Sequence, residues 1–212
     1  TDFSLLTANK EISGELNKVF EFYENNFKVQ SFKHLLVAPF FMRKEFIDLI
    51  SNEINNAKNK KPASILLKMN SLVDREMIGK LYEASMAGVK ITLIIRGACS
   101  LVTDVEGWSD NIVAYSIVDK YLEHARVFVF HNNGKEKIFI SSADWMSRNL
   151  DNRSEVAVPI YDTEVRKQLK DILNIQLSGN TKVRILDRRQ ENMYKKPKPG
   201  ETKIRVQDEI YE

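Results

Sequence analysis

Apolar residues recur at intervals of three and four between residues 8 and 26, with Ile12, Leu16, Val19, Phe20 and Tyr23 in register. The spacing predicts an amphipathic helix that stops at the polar pair Asn25-Asn26, an appendage ahead of the main body. The run from His34 to Phe40, ended by Pro39, reads as a strand, and Met42 to about Lys58 returns to helical spacing with Phe46, Leu49, Ile50 and Ile54 on one face. After the link Lys58 to Lys61 and Pro62, a second strand spans Ser64 to Met69. Asp74 is then placed to cap a helix running to Ala87, Gly88 to close it, and Val89 to Ile95 to form a third strand.

Strands separated by helices of about 15 residues predict parallel β-α-β units with right-handed crossovers, and the unbroken ITLII run suits a central strand. Beyond a loop from Gly97 to Asp110 the pattern changes. NIVAYSI, ARVFVF, KIFIS and SEVAVPI follow one another as short strands, with HNNG as a hairpin turn, so the sheet is expected to be mixed. A last long helix is predicted over Thr163 to Leu177, with Val165, Leu169, Ile172, Leu173 and Gln176 in register and Gly179 ending it. Past Arg188 the polar, proline-bearing segment reads as an arm, with a short helix from Ile204 onwards. The expected fold class is α/β, a mixed, partly parallel sheet flanked by helices.

At 212 residues and 43% hydrophobic content the chain can bury a core without covalent staples. The single cysteine, Cys99, excludes an intramolecular disulfide and, with three histidines, a Cys-rich zinc site, which suits a reducing, cytoplasmic setting. No apolar run reaches the roughly 18 to 20 residues of a membrane span, and the first residues lack a signal-peptide pattern. The net charge of +3, from 32 basic and 29 acidic residues, implies no polyanion by itself; any phosphate binding must come from local clusters.

One such cluster lies between Tyr121 and Leu150. His124 and Arg126 are two apart, hence on one face of a strand, and a hairpin would return Ser141, Ser142 and Asp144 to the same end of the sheet. A titratable imidazole beside a fixed cation can grip and protonate a phosphoryl oxygen. Ligands of open α/β sheets sit beyond the carboxyl ends of the strands, which directs attention to Lys68, Asn70 and Ser71 and to Arg96 and Gly97, where the glycine could admit a ligand close to the backbone. Arg96 can clamp two phosphate oxygens; its bland alternative is a strand-end arginine paired with a surface carboxylate. Lys68 is a weaker candidate, and Glu123, facing away from His124, is no obvious orienting partner. Arg153 and Glu155 share a strand face, either as a phosphate cation beside a carboxylate for a hard divalent ion or as a plain ion pair. His34 and His131 read as structural or solvent-exposed, and Trp108 and Trp145 as packing residues.

Taken together, LLTANKEI, LLVAPFFMRKEF, ILLKMNSLVD, LYEASMAGVKITLIIRG, SDNIVAYSIVDKYLEHARVFVF and ISSADWMSRNLDNRSEVAVPI resemble the C-terminal part of the long, histidine-phosphorylating polyphosphate kinases over nearly residues 1 to 190. The resemblance implies a phospholipase-D-like fold, with His124 and Ser141 to Asp144 as degenerate forms of that superfamily's HxK and GSxN elements. It also implies a division into residues 1–28 as the tail of a preceding catalytic domain, 29–188 as the phospholipase-D-like domain, and 189–212 as the polar arm. The activity implied is reversible transfer of the ATP γ-phosphate to inorganic polyphosphate through a phosphohistidine upstream of Thr1, so the chain alone should be inactive. By motif, Arg96 and Arg153 would contact ATP phosphates, His124 would act at the ATP site as acid or base, and Glu155 would join the Mg²⁺ shell. Expected partners are ATP or ADP and polyphosphate, with no nucleic acid and no membrane insertion, peripheral association being allowed, and a homo-oligomer for the full-length enzyme. Two alternatives remain. One is a phospholipase-D-type phosphodiesterase with His124 as nucleophile, against which stand Arg126 in place of lysine and Asp144 in place of asparagine. The other is a non-catalytic polyanion-binding module.

Overall fold

The computed structural model describes residues 1–25 and 30–211. The expected boundary between residues 28 and 29, and the second residue of the Asn25-Asn26 break, lie outside them. The chain order is α1 (Lys10–Glu24), β1 (Leu36–Ala38), α2 (Met42–Lys58), β2 (Ser64–Met69), α3 (Arg75–Met86), β3 (Lys90–Ile95), β4 (Ile112–Ile117), β5 (Arg126–Phe130), β6 (Lys137–Ser141), β7 (Glu155–Pro159), α4 (Thr163–Ser178), β8 (Val183–Ile185) and α5 (Val206–Tyr211). All eight strands form one sheet in the order β1-β7-β6-β5-β2-β3-β4-β8.

The sheet is mixed, as the pattern requires, but its parallel set is β2-β3-β4. The expected β1-β2-β3 series is corrected: β1 is an edge strand antiparallel to β7, with three strands between it and β2. Local periodicity identifies a strand and says nothing about its neighbour. β2 pairs with β5, and β5, β6 and β7 then run antiparallel in sequence. In consequence the carboxyl ends of β2, β3, β4 and β6 and the amino ends of β5, β7 and β8 share one edge of the sheet. The site is built on that edge.

The period of two within each strand divides the core. Ile65, Leu67 and Met69 of β2 face α2 and α3 with Phe46, Ile50, Met77 and Leu81, whereas Ile94, Val127 and Ile138 face α4 and α5 with Leu169, Leu173 and Val206. Lys68 belongs to the second face, which is why it is buried. The helix α1 is more than an appendage. Ile12 and Val19 pack on Leu35 and Val37, and the Glu15 carboxylate accepts from the amides of Lys33, His34 and Leu35 at 2.5 to 2.9 Å. The remainder of its apolar stripe, Leu16, Phe20 and Tyr23, is exposed.

Arg43, at the start of α2, is an unforeseen hub. Its guanidinium takes both oxygens of Asp74 at 2.7 and 2.8 Å and both of Asp151 at 2.8 and 2.6 Å, tying α2 to the cap of α3 and to the π-type turn Arg148–Asn152. Burial alone would raise the Asp74 pKa; the bonds from Arg43, the Met77 amide and Ser147 outweigh it and bring the carboxyl down to about 2. A carboxyl lowered on folding stabilises fully above its unfolded value near 3.8 and loses that contribution as pH falls through 2. Asp74→Asn is therefore expected to lose about 2 kcal/mol at pH 7 and to match the parent near pH 2, read by urea denaturation at both values. An equal deficit at pH 2 would refute the linkage.

Candidate active site

The loop after β6 is anchored through Trp145, fully buried against Phe46 and Phe128 at ring separations of 5.4 and 5.6 Å. Its backbone bonds Ser71, Val73 and Asp74, so the loop from Ser141 to Ser147 is bound to the end of β2. This places Asp144 under the sheet edge, where Oδ1 accepts from the amides of Asn70 and Ser71 at 2.8 and 3.2 Å. The remaining capacity of that carboxylate goes to Arg126, with Nε and Nη2 each 3.3 Å away. His124 and Arg126 do share a face, Nη1 lying 3.2 Å from His124 Nε2.

The orienting partner of His124 is Asp2, whose Oδ2 is 2.7 Å from Nδ1. Because a carboxylate accepts, Nδ1 carries the hydrogen, and the Nε2 lone pair is left to accept, with Arg126 Nη1 3.2 Å away. Partial burial raises the Asp2 pKa, but His124, the Phe3 amide and the charge of Arg126 more than reverse this, so the carboxyl is lowered and stays an acceptor. No signal in the sequence connects residues 122 positions apart.

His124, Arg126, Ser141, Ser142, Asp144, Arg148, Arg153 and Glu155, with Asp2 and Phe3, line one cleft of about 540 Å³. Arg148 and Arg153 make no ion pair within the described residues, so two guanidinium groups without carboxylate partners line the same cleft as the imidazole. The supposed Arg153–Glu155 pair does not form. Glu155 is buried and accepts from Ser142 Oγ and, at 2.6 Å, from Asn149 Nδ2.

Arg96 stands apart from this lining. It is half-buried, with Nε donating to Asn70 Oδ1 at 2.9 Å rather than to a surface carboxylate, and Asn70 Nδ2 in turn reaches the carbonyl of His124 at 3.3 Å. Gly97 does serve a close approach, but to the chain itself: a Cβ there would lie 2.9 Å from Asn70 O. Lys68 is corrected as a phosphate ligand. It is 2% exposed and pairs with Glu123 at 3.1 Å, on the opposite side of the strand end from His124. Burial lowers its pKa more than Glu123 restores it; for Glu123 burial raises the pKa, but Lys68, Gln207 and Thr1 prevail and lower it. His34 bonds Tyr161 and Glu11, His131 accepts from the Gly134 amide, and Trp108, 55% exposed, rests edge-on against Tyr82.

A mixed α/β sheet whose polar edge carries histidine, arginines and a serine-rich loop defines the phospholipase-D-like class of fold. A phospholipase D family member, Nuc from Salmonella typhimurium, superposes with a TM-score of 0.51 at 15% identity, over 72% of this chain and 96% of its own, a likeness of fold alone. The family described as polyphosphate kinase C-terminal domain 2 matches residues 35–207, and the chain belongs to that family. A polyphosphate kinase of Vibrio cholerae is 50% identical over the whole chain, which spans 30% of that relative's length. The crystal structure of polyphosphate kinase from Porphyromonas gingivalis superposes with a TM-score of 0.93 at 45% identity, over 97% of this chain and 31% of that one.

Proposed function

We propose that this chain is the nucleotide-facing part of a polyphosphate kinase, acting in the reversible transfer of the ATP γ-phosphate to inorganic polyphosphate. The observation that carries the reading is the cleft itself, which Arg148 and Arg153, free of carboxylate partners, line together with an oriented imidazole. Phosphoryl transfer needs mainly positioning and charge stabilisation. In the first half-reaction the bond from the γ-phosphorus to the bridging oxygen breaks and a phosphorus–nitrogen bond forms on a histidine outside this chain. In the second, the terminal oxygen of polyphosphate displaces that nitrogen. His124 Nε2 supplies a proton to the departing oxygen and recovers it on reversal, while Arg148 and Arg153 hold phosphate oxygens and Arg126, fixed by Asp144, adds a third positive charge. Arg96, outside the lining, braces Asn70, whose side chain reaches the carbonyl of His124.

Magnesium enters this proposal only as an ion brought by the nucleotide phosphates. Among the described residues no three His, Cys, Asp or Glu side chains gather as ligands, and both oxygens of Glu155 are engaged by Ser142 and Asn149. The donor set does not form a resident metal site, and no step above depends on one.

Calorimetry tests the reading. The chain is expected to bind ATP and tripolyphosphate, and Arg148→Ala with Arg153→Ala to weaken both at least tenfold, about 1.4 kcal/mol. The same chain incubated with γ-labelled ATP is expected to acquire no acid-labile phosphohistidine, since the nucleophile of the proposed reaction is a histidine outside the chain and His124 serves only as acid or base. Unchanged affinity in the double variant would remove the arginines from the site, and a labelled histidine would overturn the division of labour.

A further inference from the structure

The loop that delivers His124 to the cleft, residues 118–125 between β4 and β5, has no regular structure, yet it is held at every second residue by one short stretch of chain. Arg205 Nε and Nη2 bond the two oxygens of Asp119 at 2.8 and 2.7 Å. Gln207 closes a two-way bridge with the backbone of Tyr121: Oε1 accepts from its amide and Nε2 donates to its carbonyl, both at 2.8 Å. The same Nε2 donates to Glu123 Oε1 at 2.8 Å, and Tyr211 meets the ring of Tyr121 edge-on at 5.6 Å. Gln207 is 1% exposed, an amide whose hydrogen-bonding capacity is spent on this loop.

The stretch has its own anchor, independent of the loop it grips. Val206 is buried in the core under α4, and Gly179, which ends α4, lacks a Cβ that would otherwise lie 2.2 Å from a Val206 methyl. Asn180 adds a donor to Thr202 O and an acceptor for the Ile204 amide, at 2.9 and 2.8 Å. One end is fixed to the body and the other holds the strand of chain that ends at His124.

From this geometry we infer that Arg205–Tyr211 is a clasp that sets the position of His124, with Arg205 and Gln207 as positioning residues for the acid–base step. Neither lines the cleft. Both act through Asp119, Tyr121 and Glu123, the last adjacent to His124 in the chain. The inference about catalysis rests on the proposed role of His124; the clasp itself does not.

The test uses Arg205→Ala and Gln207→Ala, read first on this chain by the imidazole resonances of its three histidines. In both variants the His124 signals are expected to shift or broaden while those of His34 and His131 stay in place. Arg205 is partly exposed and outside the core, so its variant retains the fold even where Gln207→Ala loosens it. In a full-length polyphosphate kinase carrying this sequence, kcat is expected to fall roughly ten- to a hundredfold, with the KM for ATP within about twofold of the parent. His124 resonances unchanged in both variants would overturn the clasp. A parent enzyme without phosphate transfer would instead overturn the functional reading while the resonance shifts still supported the clasp.

Discussion

Replacing Glu123 by alanine is expected to destabilise the chain by about 3–5 kcal/mol, the range found when one member of a buried ion pair is removed. Lys68 and Glu123 are both almost inaccessible, with side chains 3% and 1% exposed, so the surviving ammonium has no water to replace its partner. Gln176 Nε2, 3.1 Å from the same carboxylate, would lose its acceptor as well, and Gln207 one of its two. The variant should recover with alkali. A lysine whose pKa is lowered on folding gains stability as pH rises from its folded value towards the unfolded value near 10.5, because the unfolded chain then binds the extra proton. Lys68→Met with Glu123→Leu is expected to restore most of the loss, leaving the Gln176 amide unpaired and the Gln207 amide short of one acceptor. Urea denaturation of the three proteins at pH 7 and 9.5 decides it. A loss below about 1 kcal/mol for Glu123→Ala would mean that water reaches the pair.

The same pair shows what could and could not be read along the chain. α2, α3 with its Asp74 cap, Gly88 and the β5–β6 hairpin were legible because each depends on neighbours three or four residues away, or directly opposite across a turn. The grouping of His124, Arg126, Ser141, Ser142 and Asp144 was legible for the same reason, since one hairpin contains it. Lys68 looked like a strand-end cation because its burial is decided by α4 and α5, which begin 95 and 138 residues later. Asp2 and the Arg205–Gln207 grip are bonds across 84 to 122 residues between segments of ordinary polar composition. The strand β8 escaped notice because three residues are too few to show a period, and its pairing with β4 gives it order. In this chain the chemistry-bearing side chains are local, and the groups that orient them are not.

Loss of the His124 imidazole is expected to cost the largest share of activity, with His124→Ala lowering kcat in the full-length enzyme by about 10²–10⁴, the usual contribution of a positioned acid or base. Its side chain is 45% exposed, so removing it should change stability by no more than about 0.5 kcal/mol, and activity and stability separate in one variant. Asp2→Ala supplies the comparison. If Asp2 acts by holding hydrogen on Nδ1, its loss leaves an imidazole that can still exchange protons from either nitrogen, so kcat should fall less than in His124→Ala. Arg153→Ala should behave differently again, raising the KM for ATP, since a guanidinium without a protein partner binds phosphate in ground state and transition state alike. Near-parental kcat in His124→Ala would reduce the residue to a structural contact for Asp2 and Arg126, and would leave the arginines as the chain's only contribution to the chemistry.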